Sequence, residues 1–280
     1  MSDAPAAAWR SNLRRIGMAG TLLGLLVLIA SMVLRIETVF DLQGVATSTL
    51  APGVEKVIRL VHRMAASCVA LLTLAAAVLC WMYGRSSRAA WLPVAWVAIS
   101  TLTLSVIGPM TTGYRLPWVT IANVGFGMAL LMGFWWLREI MLADADRWGR
   151  SDLFQRATVA AFVLHTATGA AASAALAQGA RLPVLLHLMT LAIWLVLCGS
   201  MLLLPVADRC ASRLRLALVA LLGAQMLTGY LAMMPPQRAG ALLLSHALLS
   251  PALALLLVSL FVRQNVWPAI RHSPPPVRSQ

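Results

Sequence analysis

Eight runs of predominantly apolar residues follow one another along the chain, near 16–34, 57–82, 89–110, 117–137, 157–177, 183–204, 214–234 and 241–262. A helix of about 20 residues crosses the ~30 Å hydrocarbon core of a bilayer, so each run predicts a transmembrane span. Together they leave no room for a soluble domain in 280 residues. Only 11% of the residues are charged and 60% are hydrophobic, whereas about a quarter are charged in ordinary globular domains. The predicted fold is all-α: a polytopic membrane protein of eight transmembrane helices.

The formal net charge is +13, but the basic residues form no single patch with interleaved aromatics, so nucleic acid is not an expected partner. They recur in alternate loops instead. Arg10, Arg14 and Arg15 precede the first run, Arg85 and Arg88 follow the second, and Arg138, Arg147, Arg150 and Arg156 follow the fourth. Arg209, Arg213 and Arg215 follow the sixth, and Arg263, Arg271 and Arg278 lie in the tail. Lys and Arg accumulate in cytoplasmic loops, so both termini are expected in the cytoplasm, as in a bacterial-type inner membrane. The N-terminal run is expected to stay as the first helix, since no small-residue cleavage pattern follows it. The four cysteines form no CxxC, so neither a zinc site nor a disulfide framework is expected.

In this orientation spans 2, 4, 6 and 8 start at the outer face, and three of them carry a histidine near that start: His62, His187 and His246. Span 4 has Asn123 at the corresponding depth. VIRLVHRMAASCVALL (57–72) parallels PVLLHLMTLAIWLVL (183–197), and LSVIGPMTTGYRLPWVTIAN (104–123) parallels QMLTGYLAMMPPQRAGALLLSH (225–246). The register predicts two pseudo-symmetric four-helix bundles related by an axis along the membrane normal. The expected divisions are an N-terminal half (1–138), a cytoplasmic linker (139–156), a C-terminal half (157–262) and a cytoplasmic tail (263–280).

Two histidines at matched depth on helices running the same way suit axial ligation of a haem, with outer-face Arg181 and Arg238 as partners for its propionates. The plainer alternative is that each histidine is a polar contact between helices. His62 faces Asn123 in the parallel position, which leaves open a five-coordinate haem, a weakly held substrate haem or none. Mid-span His165 is expected to pack through a hydrogen bond, and Gly169 and Gly229 are expected to be helix-packing points. Glu55 and Arg59 lie on nearly the same helical face as His62, either as an exposed intrahelical pair or as part of the site.

At these residues the chain resembles the haem A synthase family along nearly its whole length. IASMVLRIET (29–38) is similar to that family's end of span 1, RLVHRMAA (59–66) to its Glu-x-x-His-Arg element and LPWVTIAN (116–123) to its start of span 4. QMLTG (225–229) and SHALLSPALALLL (245–257) are similar to its span-7 Gln-x-x-x-Gly and span-8 histidine segments. The resemblance implies oxidation of the C8 methyl of haem O to the formyl of haem A, near the outer face, in support of terminal oxidase biogenesis. It implies a prosthetic haem b between His187 and His246, with Arg181 and Arg238 beside it. Substrate haem O would be taken at His62 and Asn123, with Arg35 and Arg59 as further contacts.

The implied partners are haem O synthase, an electron donor and the oxidase assembly machinery. The family's catalytic carboxylate, three residues before the first histidine, is replaced here by Arg59, and its second N-terminal histidine by Asn123. Glu55 is the substitute carboxylate, about one turn, or 5 Å, farther along the axis. The alternative function is a b-type electron-transfer or oxidase-assembly protein that has lost the synthase reaction. A secondary transporter is disfavoured, since no paired carboxylates or matched interrupted helices lie in the spans.

Overall fold

The computed structural model describes residues 4–42, 53–84, 87–111, 117–143, 153–176, 182–203, 209–232 and 239–271. These residues form α1 (Ala4–Leu42), α2 (Val54–Tyr83), α3 (Arg88–Ile107), α4 (Pro117–Leu142), α5 (Leu153–Leu176), α6 (Leu182–Leu203), α7 (Arg209–Ala232) and α8 (Ala239–Arg271). A 3-10 turn, Gly108–Thr111, follows α3, and no strand occurs among the described residues.

The helix ends follow from local chemistry. α1 extends past both ends of the predicted span because helix formation needs no apolarity. Pro5 is tolerated in a first turn, and no Gly or Pro interrupts the chain between Gly24 and Gly44. α2 stops at Gly84, whose N–H donates to the Cys80 carbonyl at 2.9 Å. At the end of α3, Pro109 supplies no N–H donor, and the chain tightens there into the 3-10 turn.

Six helical stretches are long and apolar enough to cross a membrane: Ala8–Arg35, Val54–Tyr83, Ala89–Met110, Trp118–Leu142, Ser212–Leu231 and Leu242–Arg263. Within α5 and α6 the apolar stretches Ala157–Ala172 and Leu185–Val196 are shorter. Large apolar side chains cover the outside, Leu102, Val196 and Leu216 among them at 69%, 69% and 72% exposure. In water an apolar surface this extensive would drive aggregation; in lipid it is already solvated. The protein is a multi-pass helical membrane protein.

Helices pack first as the hairpins α1–α2, α3–α4, α5–α6 and α7–α8. Tight crossings use glycine, because close backbone approach is what holds helices together once lipid removes the hydrophobic drive. On α1, a Cβ at Gly17 would stand 2.8 Å from the Arg138 backbone nitrogen, and one at Gly20 would stand 2.3 Å from the Phe134 ring. The start of α1, end of α2, start of α3 and ends of α4 and α8 gather in one apolar layer around Leu13, Ala90, Leu137, Ile140 and Val262. Beside it, buried Glu139 pairs with Arg138, whose guanidinium lies 4.3 Å from the Trp135 ring centroid.

The two halves do not pack alike. In the N-terminal half α1 lies extensively against α4, and α2 touches α3, which closes the four helices into a ring. In the C-terminal half α5 meets α8 only over a short stretch, and α6 packs backbone to backbone chiefly on α5. Side chains join the two C-terminal hairpins: Phe162, Trp194, Cys198, Leu218, Leu222, Leu253 and Leu257 form one buried cluster with Leu28 and Leu131 of the N-terminal half. The Trp135 indole N–H adds a cross-half bond to Ser259 Oγ at 2.7 Å. The halves therefore share a core, and the C-terminal hairpins stand apart except where large side chains bridge them.

Candidate functional site: the histidines of the C-terminal half

His187 sits on α6 seven residues before Trp194, and His246 sits on α8 seven residues before Leu253. At 1.5 Å per residue this puts each imidazole about 10 Å along its helix from the shared apolar cluster. Each imidazole rests on a glycine of the preceding helix. A Cβ at Gly169 would stand 2.9 Å from His187 Cε1, and one at Gly229 would stand 2.9 Å from His246 Cε1. Real Cβ atoms do not approach that closely, so glycine makes the seats possible. The two expected packing glycines do pack, and what they pack is the histidines.

The ring nitrogens are held differently in the two hairpins. His246 Nδ1 is 3.0 Å from the Gln225 carbonyl oxygen. A carbonyl only accepts, so Nδ1 carries the proton and Nε2 the lone pair, which is the acceptor facing the Gln225 side-chain amide. The Gln225 side-chain Nε2 lies 3.3 Å from that His246 Nε2 and donates to Ser250 Oγ at 3.0 Å. His187 Nδ1 has a longer contact, 3.5 Å to Thr168 Oγ1. Thr168 also shares a 2.8 Å hydrogen bond with Thr190 Oγ1, whose hydroxyl bonds back to the His187 carbonyl.

His165, expected to have a packing role, packs within this site. Its ring stacks on His187, centroids 4.3 Å apart and planes within 13°. It also stacks on Trp194 at 5.3 Å and 14°. It is buried, at 4% exposure, and its Nδ1 has no hydrogen-bond partner. A sequence signal for this role exists: His165-x-x-Thr168-Gly169 before His187 repeats as Gln225-x-x-Thr228-Gly229 before His246. The repeat relates two hairpins within one half, not one half to the other.

In the N-terminal half, His62 is half-buried on α2, with Nδ1 3.2 Å from the Val27 carbonyl of α1. The tautomer argument is the same, and Nε2 again keeps its lone pair. Arg59 and Glu55 form an exposed pair one turn apart, Nε to Oε1 2.9 Å and Nη2 to Oε1 2.5 Å, the plainer of the two arrangements expected for them. Asn123 of α4 is partly buried, and among the described residues no hydrogen bond joins it to His62. Arg35 Nε, on α1 beyond Val27, is buried and has no hydrogen-bond partner among the described residues. Arg181 and Arg238 lie outside the described residues, as do His272 and residues 144–152 of the expected linker.

Among the described residues, no group of three or more His, Cys, Asp or Glu side chains is arranged to hold a bare metal ion. No model of a known protein family matches the chain, and neither a curated protein nor a solved structure does.

Proposed function

We propose that this protein is a membrane haem protein of the haem A synthase type, with eight spans arranged as two pseudo-symmetric four-helix halves and both termini in the cytoplasm. Its C-terminal half would hold a haem b between His187 and His246, and its N-terminal half would take haem O at His62. The observation that carries the reading is that His62 and His246 each give their Nδ1 proton to a carbonyl of the preceding helix. This fixes the tautomer whose unprotonated nitrogen, Nε2, can ligate iron, as second-shell partners of metal-bound histidines do; at His246 the metal would take the place of the Gln225 amide donor 3.3 Å from Nε2.

The donor set fits the group. Two neutral imidazoles on helices that do not pack backbone to backbone, within a largely apolar bundle, suit a planar apolar macrocycle better than a small hard cation. A bound haem supplies one-electron redox chemistry at its iron. The chain's own residues supply the rest: Gly169 and Gly229 admit the imidazoles, Gln225 holds the Nδ1 edge of His246, His165 stacks on the ring of His187, and the cluster around Trp194 and Leu253 excludes water from one side. Arg35, with its unpaired buried Nε, is the N-terminal donor suited to a propionate.

The exposed Arg59–Glu55 pair favours a second reading, a b-type cytochrome or oxidase-assembly protein. A carboxylate neutralised by its neighbour two turns from His62 is poorly placed to accept a proton from substrate. The experiment that separates the readings is the identity of the haems extracted from protein made in cells that also make haem O. Haem B with haem O or haem A is expected for the synthase-type reading. Haem B alone, near one per chain, identifies the cytochrome-like reading, and no haem at all refutes both.

A paired substitution tests whether the N-terminal half is a disabled synthase site. Arg59→Glu with Asn123→His is expected to raise haem A production in a host that makes none otherwise. No gain at normal expression would show that this half serves another task.

A further inference from the structure

We propose that His165 and Gln225 are matched positioning residues that set the ring planes of His187 and His246. The inference rests on the reading of these two histidines as haem ligands. His165 precedes Gly169 by four residues, and Gln225 precedes Gly229 by four, so each lies one helical turn from the glycine on which the imidazole rests. Each is also in direct contact with that imidazole, His165 through its ring face at 4.3 Å and Gln225 through its carbonyl at 3.0 Å and its amide nitrogen at 3.3 Å.

The two positions do the same work by different means. His246 is held at both edges by residue 225: Nδ1 donates to the backbone carbonyl at 3.0 Å, and the side-chain amide nitrogen lies 3.3 Å from Nε2. His187 has a 3.5 Å contact to Thr168, at the limit of a hydrogen bond. The face of its ring is held by the nearly parallel stack His187–His165–Trp194, which is anchored at its far end by a Trp194 with 0% exposure.

Core filling does not explain either residue. His165 Nδ1 and Gln225 Oε1 are both buried with no hydrogen-bond partner, a penalty that leucine at either position would avoid. Polar groups kept at matched places despite that penalty, each touching a candidate ligand, mark a role in orienting it.

The test is electron paramagnetic resonance of the oxidised purified protein, in which the low-field signal of a bis-imidazole haem depends on the relative ring planes. Wild type is compared with His165→Leu, which fills the space and cannot stack, His165→Phe, which can, and Gln225→Leu. His165→Leu is expected to shift or split the low-field signal and to weaken haem retention on the order of tenfold; Gln225→Leu keeps the backbone carbonyl that holds His246 Nδ1 and loses only the side-chain amide contact, so a smaller shift of the signal is expected. His165→Phe should keep the wild-type signal. An unmoved signal in both leucine variants, with or without a fall in thermal stability, would overturn the positioning role and leave the ligand assignment intact. A low-spin signal that survives His187→Ala, or a wild-type protein with no haem, would instead remove the ligand reading on which the inference stands.

Discussion

His187→Ala and His246→Ala are each expected to abolish the low-spin haem b spectrum of the purified protein and to lower its haem content at least tenfold or so. Loss of a second-shell partner alone typically costs about 10- to 100-fold in metal affinity, and these substitutions remove the ligating atom itself. The seats deepen the effect, because Gly169 and Gly229 have no side chain that would reach into the space a lost imidazole leaves. His62→Ala is the internal control. It should leave the haem b spectrum in place while removing any haem O that co-purifies, since His62 is held against Val27 of α1, away from the α5–α8 hairpins. An unchanged low-spin spectrum in both C-terminal variants would refute the assignment.

The second large effect is on the fold. Gly17→Leu is expected to destabilise the protein by about 1–3 kcal/mol, the usual cost of forcing extra side-chain volume into a packed interface, and to lower its yield in membranes. A Cβ at Gly17 would meet the Arg138 backbone nitrogen at 2.8 Å and the Phe134 carbonyl oxygen at 2.9 Å. Neither atom can rotate away, so α1 and α4 must separate. The same region holds the buried Glu139 with its Arg138 partner, whose geometry depends on that crossing.

Gly223→Ala on α7 is the contrast. Nothing lies within 4 Å of a Cβ there, and alanine removes conformational freedom from the unfolded chain, so a gain of about 0.4–1 kcal/mol is expected. Denaturant titration in detergent checks both. Equal stability of Gly17→Leu and wild type would mean that the α1–α4 crossing is not a tight one.

Particular residues show where sequence reasoning reached and where it stopped. Each expected span has a helix at its place, because a long apolar run has few ways other than a helix to satisfy its backbone in lipid. Helix ends were less legible. α1 and α8 run on past the apolar segments, since a helix needs no apolar residues to continue. That Gly169 and Gly229 pack was readable from their places in the spans, but their partners were not. Whether a glycine faces another helix, lipid or an imidazole depends on the rotation of its helix, which a broad apolar pattern does not specify.

His165 shows the same limit from the other side. In the chain it is a lone histidine in the middle of a span, 22 residues from His187 and 29 from Trp194, and only the α5–α6 packing turns the three into a stack. The Arg59–Glu55 pair, by contrast, follows from four-residue spacing on one helix, so it was among the arrangements the chain itself allowed.

By itself the sequence determined the class of solvent and the order of the apolar segments, because hydropathy is a local property of the chain. The tertiary structure alone decided how the two halves differ, with α1 closed on α4 and α5 barely touching α8. It also decided which residues surround the imidazoles. Both depend on helix rotation and on contacts between residues far apart in sequence. In a membrane those contacts are set by shape, where glycine meets a backbone or a ring, and not by the hydrophobicity that dominates the sequence.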